Sequence, residues 1–314
     1  AAGFRKIGFG QCGLVFERPT FDYAVKVARP GFADALATDH GAHVRVYAAF
    51  NAPPSSPSPQ PLECRVPSVV SFLLHDTSNS KTWWTTHAHL FPASTTDDTT
   101  FPLPAAALLT QRIPALPKCA RDALVTLYCP PAAQAAVRAS PTNRDCLARI
   151  YLGRRRGSQV PAANFTLRNF NLHLDQMLDL GLPVAQYAAA VGAALAAMHW
   201  GANVDGYDVE FVLGGDDQSR TAARIWVLDF NLCTAWDEAV AVAHPDALVA
   251  QLVVAFFEND PYFPLPLAEQ ADDCVLWHVF YAEYRSAAAR VLEGKPRELA
   301  ALPGRFLDAC VERE

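Results

Sequence analysis

Two stretches, MHWGANVDGYDVEFVLGG (198–215) and ARIWVLDFN (223–231), decide how the rest of the chain is read. Phe211-Val212-Leu213 and Ile225-Trp226-Val227-Leu228 are apolar runs of strand length, and Gly-Gly-Asp-Asp-Gln-Ser-Arg joins them with turn chemistry, so the spacing predicts a β-hairpin. Asp205, Asp208 and Glu210 stand between an Ala-rich apolar segment and the first run, and Asp229 closes the second. The hairpin therefore gathers acids at one rim. A carboxylate beside a buried strand is costly unless it has a partner or a task. On that ground Asp205, Glu210 and Asp229 are candidate catalytic residues, whereas Asp216 and Asp217 read as caps or solvated loop positions.

With 314 residues, 51% of them apolar, the chain can bury one large core or two modest ones. Its longest apolar segment, 184–198, is shorter than the roughly 20 residues a bilayer requires, and no membrane contact is expected. No secretion signal opens the sequence, and the eight cysteines contain no C-x-x-C pair. Both features imply a cytoplasmic protein with reduced thiols, no zinc site and no disulfide framework. A formal net charge of −6 offers no global attraction to DNA or RNA, so any nucleic-acid contact must be local. Oligomeric state is not legible.

Outward from the hairpin, residues 4–28 read FRKIGFGQCGLVFERPTFDYAVKVA. Gly8, Gly10 and Gly13 lie between strand-like runs, and Lys26 lies inside a third. This pairing resembles the glycine-rich hairpin and strand lysine of protein kinases. Glycine lets backbone close over a polyanion, and a strand lysine holds one fixed positive charge beneath it. Residues 32–50 have helical spacing. A kinase places there a Glu that pairs with the lysine; the matching position is His43, with Asp39 one turn earlier as the nearby acid, a departure that counts against ATP chemistry. His43 itself reads as a helix-face residue. Stretches 51–61 and 94–100 read as exposed loops. Residues 66–74 and 83–91 read as strands that continue an N-terminal sheet to about Ile113, with His87 and His89 on one strand face and no third ligand for a metal.

From Pro117 the pattern turns helical, with helices over 119–128, 132–139, 172–180, 184–199, 245–257 and 273–292 and a strand over 146–152. Arg154, Arg155 and Arg156 form the strongest local positive site in an acidic chain. Asn164-Phe165-Thr166 has glycosylation spacing that stays unused in the cytoplasm.

The order of glycine-rich hairpin, strand Lys, helix, sheet, helical lobe, acid loop and Leu-Asp-Phe resembles the protein-kinase-like fold across nearly the whole chain. The resemblance implies an α+β, two-lobed architecture: a small antiparallel N-terminal lobe over 1–116 and a larger, mainly helical lobe over 117–314. Within it Asp205 resembles the catalytic-loop Asp, Glu210 stands where the fold has a metal-binding Asn, and Asp229-Phe230-Asn231 resembles D-F-G. The His-Arg-Asp triplet is absent.

The runs RIYLG (149–153), FTLRNFNL (165–172), AMHW (197–200), DVEFVLG (208–214) and WVLDFN (226–231) are similar to a fungal family labelled "zinc finger protein", although zinc-finger spacing is missing. Fungal arginine-containing cyclodipeptide synthases resemble that family. The resemblance implies condensation of arginyl-tRNA with a second aminoacyl-tRNA to a diketopiperazine, with no cofactor. Asp205, Glu210 and Asp229 would be catalytic; Asp208, Lys26, Gly8, Gly10 and Gly13 would bind substrate; Arg154 to Arg156 would meet tRNA phosphates. The alternative is an ATP- and Mg-dependent phosphotransferase in which Asp205 orients the acceptor hydroxyl, Asp229 and Glu210 hold Mg²⁺ and Lys26 meets the phosphates, or a scaffold without activity.

Overall fold

A computed structural model describes residues 2–52, 63–74, 77–92, 102–157, 164–216, 219 and 221–313. Most of the proline-rich loop, the loop at 94–100 and Asp217 lie outside them.

Strands β1 (Arg5–Phe9), β2 (Gly13–Glu17) and β3 (Tyr23–Ala28) form the glycine-rich meander, followed by helix α1 (Ala33–Phe50). Leu36, Asp39, His43 and Val46 are the buried stripe of α1, at the i, i+3, i+7, i+10 spacing of one helix face. Asp39 and His43 therefore both point inward. Next come β4 (Cys64–Arg65), β5 (Val69–Leu73), α2 (Ser78–His87) and β6 (Ala107–Gln111). The first sheet has the order β1-β2-β3-β6-β5 and is antiparallel throughout, with Lys26 opposite Val15 on one side and Leu108 on the other.

The strand expected over 83–91 is instead α2. Thr77 caps it by accepting a hydrogen bond from Ser80 N at 3.3 Å. Trp84 buries its ring and donates from Nε1 to Ala105 O at 3.0 Å, so it serves helix-to-sheet packing. His87 is bonded to the carbonyl of Trp83 within the helix and does not share a strand face with His89.

The second lobe contains α3 (Lys118–Tyr128), α4 (Gln134–Ala139), β7 (Ala148–Tyr151), β8 (Phe170–His173), α5 (Leu174–Asp179), α6 (Val184–Ala196), β9 (Glu210–Gly215) and β10 (Ala223–Leu228). It ends with α7 (Glu238–Ala243), α8 (Pro245–Glu258), α9 (Ala271–Val291), α10 (Arg297–Ala300) and α11 (Leu302–Arg313). The hairpin expected from the opening stretch is β9–β10, paired from Glu210↔Leu228 to Gly215↔Ala223. It sits in a second five-stranded sheet of order β4-β10-β9-β7-β8. Two of these strands were unread in the sequence: β4, which comes from the N-terminal segment, and β8, which precedes a shorter α5.

A buried relay fixes the acid loop that leads into β9. Trp200 Nε1 donates to the Tyr284 hydroxyl at 2.8 Å, that hydroxyl meets His199 Nδ1 at 2.8 Å, and His199 Nε2 donates to Asp205 O at 3.2 Å. Burial pushes the His199 imidazole down to about 3, so it is neutral and keeps one donor and one acceptor for the relay. Among the described residues no helix is long and apolar enough to cross a membrane.

Candidate active site

Lys26 lies in β3 between two carboxylates. Its Nζ is 2.6 Å from Asp39 Oδ2 and 2.6 Å from Asp229 Oδ1. Burial opposes the ammonium charge, yet Asp39 and Asp229 more than offset this and hold Lys26 well above the ordinary lysine range. The helix acid that appeared lost is thus supplied by Asp39, one turn before His43. Asp39 Oδ1 also accepts from Phe230 N at 3.2 Å, which ties α1 to the end of β10. His43 is buried and bonded to Pro67 O at 2.7 Å, as a helix-face residue would be.

Asp229 adopts φ 66°, a left-handed conformation unusual outside glycine, and its contact with Lys26 helps hold it there. Two residues on, Asn231 Nδ2 donates to Cys12 Sγ at 3.2 Å, fastening the tip of the glycine-rich hairpin over the site. Gly13 is required by that hairpin, because a Cβ would lie 2.6 Å from Val27 O.

Glu210, at the first position of β9, ion-pairs with Arg149 of β7. Arg149 also reaches Asp260 Oδ2 at 3.2 Å, and the Tyr151 hydroxyl donates to the same oxygen at 2.9 Å. Burial raises the Glu210 carboxyl, Arg149 draws it back, and Asp229 and Asp260 push it up again, leaving it at about 7. Asp208 is exposed, at φ 61°, and lies outside the cavity lining; partial burial of its carboxyl and the charges of Asp229 and Asp260 raise it.

Asp205 takes a different part. Its Oδ1 accepts from Tyr207 N at 3.1 Å and Thr234 N at 2.9 Å, and its Oδ2 from Gln251 Nε2 at 2.9 Å. Both oxygens are engaged in holding the loop, and the residue is 5% exposed. A cavity of about 250 Å³ brings together Gly8, Gly10, Lys26, Asp39, Glu210 and Asp229, but not Asp205, Asp208 or Gly13. Its middle is an apolar slot between the two sheets, with Val15, Ala24 and Leu108 on one wall and Val212 and Leu228 on the other. Arg149 belongs to this site and was passed over in the sequence; its place in RIYLG, directly before the tri-arginine run, was the available signal.

The arginine run lies elsewhere. Arg155 Nη2 is 2.5 Å from Asp273 Oδ1, a bidentate pair, and Arg156 N donates to Asp175 Oδ1 at 2.9 Å. Arg154 is exposed.

The strand lysine paired to the helix acid, the hairpin above it and Asp-Phe-Asn at the end of β10 define the architecture. This is a protein-kinase-like fold. A family model described as "Zinc finger protein" matches residues 225–296. Among the described residues no three His, Cys, Asp or Glu side chains are grouped to hold a metal ion, in that segment or elsewhere. No curated protein matches the sequence. Among solved structures the chain is similar to one titled "Structure of the GDP and kanamycin complex of APH(2")-IIia", at 10% identity and a TM-score of 0.26, covering 99% of this chain and 93% of that one.

Proposed function

We propose that the chain is a nucleotide-dependent phosphotransferase. The observation that carries this reading is Lys26, pinned by Asp39 and Asp229 at the deep end of an apolar slot roofed by the glycine-rich hairpin. The slot suits a planar base, the backbone at Gly8 and Gly10 can approach phosphates closely, and Lys26 carries a fixed charge beneath them. When bound, ATP with Mg²⁺ supplies the phosphoryl group and the charge that screens it. Lys26 would meet phosphate oxygens and Asp229 the cation, in keeping with the one or two carboxylates that usually hold Mg²⁺ beside phosphates. Asp208, exposed three residues after Asp205, would take the acceptor proton, while Asp205 holds the loop that carries both.

Thermal unfolding with ATP or GTP and Mg²⁺ tests this. A nucleotide at 100 times its Kd stabilises by about 2.7 kcal/mol. Lys26→Met should abolish the shift. If no purine nucleotide moves the melting midpoint of the wild-type chain, the reading is wrong.

One observation favours a second reading, condensation of arginyl-tRNA with another aminoacyl-tRNA to a cyclic dipeptide. Glu210, with its carboxyl near 7 inside the cleft, is matched to act as general base toward an α-amine. Its tRNA contact would fall mainly to Arg154, since Arg155 is committed to Asp273. Incubation with a mixed aminoacyl-tRNA pool in the absence of ATP, followed by mass spectrometry, should then yield an arginine diketopiperazine; an empty spectrum removes this reading.

A further inference from the structure

Glu210 occupies the position at which the fold was expected to carry a second metal ligand, and a guanidinium already fills the space beside it. β7 and β9 are antiparallel with Arg149 opposite Val212, so Arg149 is diagonal to Glu210 across the pair. Its Nη2 meets Glu210 Oε1, and its Nη1 is held by Asp260. Asp260 is itself fixed. The Tyr151 hydroxyl binds it, and the turn that carries it is seated on Gly153, whose N–H donates to Pro261 O at 3.0 Å. Gly153 admits that turn only because it lacks a Cβ, which would lie 2.2 Å from Phe263 O. Tyr262, 1% exposed, packs edge-on against the Tyr151 ring. The guanidinium is thus built into the sheet and anchored by two carboxylates.

We propose that Arg149 stands in for a second metal ion, supplying the positive charge at Glu210 so that the cleft takes a divalent cation at Asp229 alone. An ion ligated by Glu210 would have to sit against the guanidinium, like charges in a partly dry site, or expel it from a place that Asp260 and Gly153 secure. The proposal rests on the phosphotransferase reading for the ion at Asp229. Arg149 is a positioning residue in this scheme: it sets the charge that the ligand meets.

Manganese titration with a non-hydrolysable ATP analogue, counting bound ions by electron paramagnetic resonance, reads this directly. The wild-type chain and Glu210→Gln should each bind a single ion, and Asp229→Asn none. Arg149→Gln should gain one further ion, with the analogue and without it, whereas Arg149→Lys, which keeps the charge, should gain none. The inference is overturned if the wild type binds two ions and Glu210→Gln loses one, or if Arg149→Gln, shown to be folded by its melting curve, gains none. Failure of the analogue to bind the wild type overturns the phosphotransferase reading instead, and the nucleotide-free arm on Arg149→Gln still decides the role of Arg149.

Discussion

Replacing Glu210 with glutamine should make the stability of the chain less sensitive to pH, and the size of the effect follows from the site. Folding raises the carboxyl to about 7, chiefly through burial. In the unfolded chain it titrates near 4.3, so between about pH 4.3 and 7 the folded state holds the proton more tightly than the unfolded state. Stability then falls as pH rises through this window, because the unfolded state binds fewer protons than the native one. At 1.36 kcal/mol for each tenfold change in proton affinity, the wild type gives up about 3 kcal/mol between pH 4.5 and 8. The amide of the Glu210→Gln variant does not titrate, and its oxygen can still accept from Arg149. Groups common to both chains cancel in the difference. Urea unfolding of the two chains at half-unit steps from pH 4.5 to 8 should show the difference shifting toward the variant by about 3 kcal/mol. A difference that stays flat across this range would refute the argument that Glu210 is charged at a cost in the folded cleft.

Asp39→Asn keeps an acceptor for Phe230 N but removes one of the two charges on Lys26; a loss of about 1.5–3 kcal/mol is expected in urea unfolding, together with weaker nucleotide binding. Because the Lys26 ammonium is raised above its unfolded value of about 10.4, that contribution is complete at neutral pH and fades only as pH climbs through the folded value. An Asp39→Asn chain with wild-type unfolding and binding would show that Asp229 alone secures the lysine. Gly153→Ala forces a methyl against the Phe263 carbonyl, a site with backbone on both sides, and should cost at least about 1–3 kcal/mol. It should also loosen Asp260 and Arg149, detectable as faster amide exchange over 259–263; unchanged exchange and midpoint would contradict the close approach.

Much of the architecture was legible because it is local. The strand-like runs around Gly8, Gly10 and Gly13, the turn chemistry between Leu213 and Ile225, and the helical spacing over 32–50 each follow from residue types and spacing within one element. The acids at the rim of β9–β10 and the lysine of β3 could be named for the same reason. Tertiary structure alone decided what they do. Whether Asp39 or His43 meets Lys26 depends on how α1 docks, since both share its buried face and lie one turn apart. Glu210 meets Arg149 across 61 positions of sequence, and Asp205 is claimed by Thr234 and Gln251, pairings set by strand register and helix packing that no window of sequence contains. Helix α2 overrode the strand propensity of its tryptophans because a threonine cap and a buried indole fit that place better. Propensity and spacing determine which residues lie on which face; the long-range closure of two sheets around Lys26 determines which faces meet.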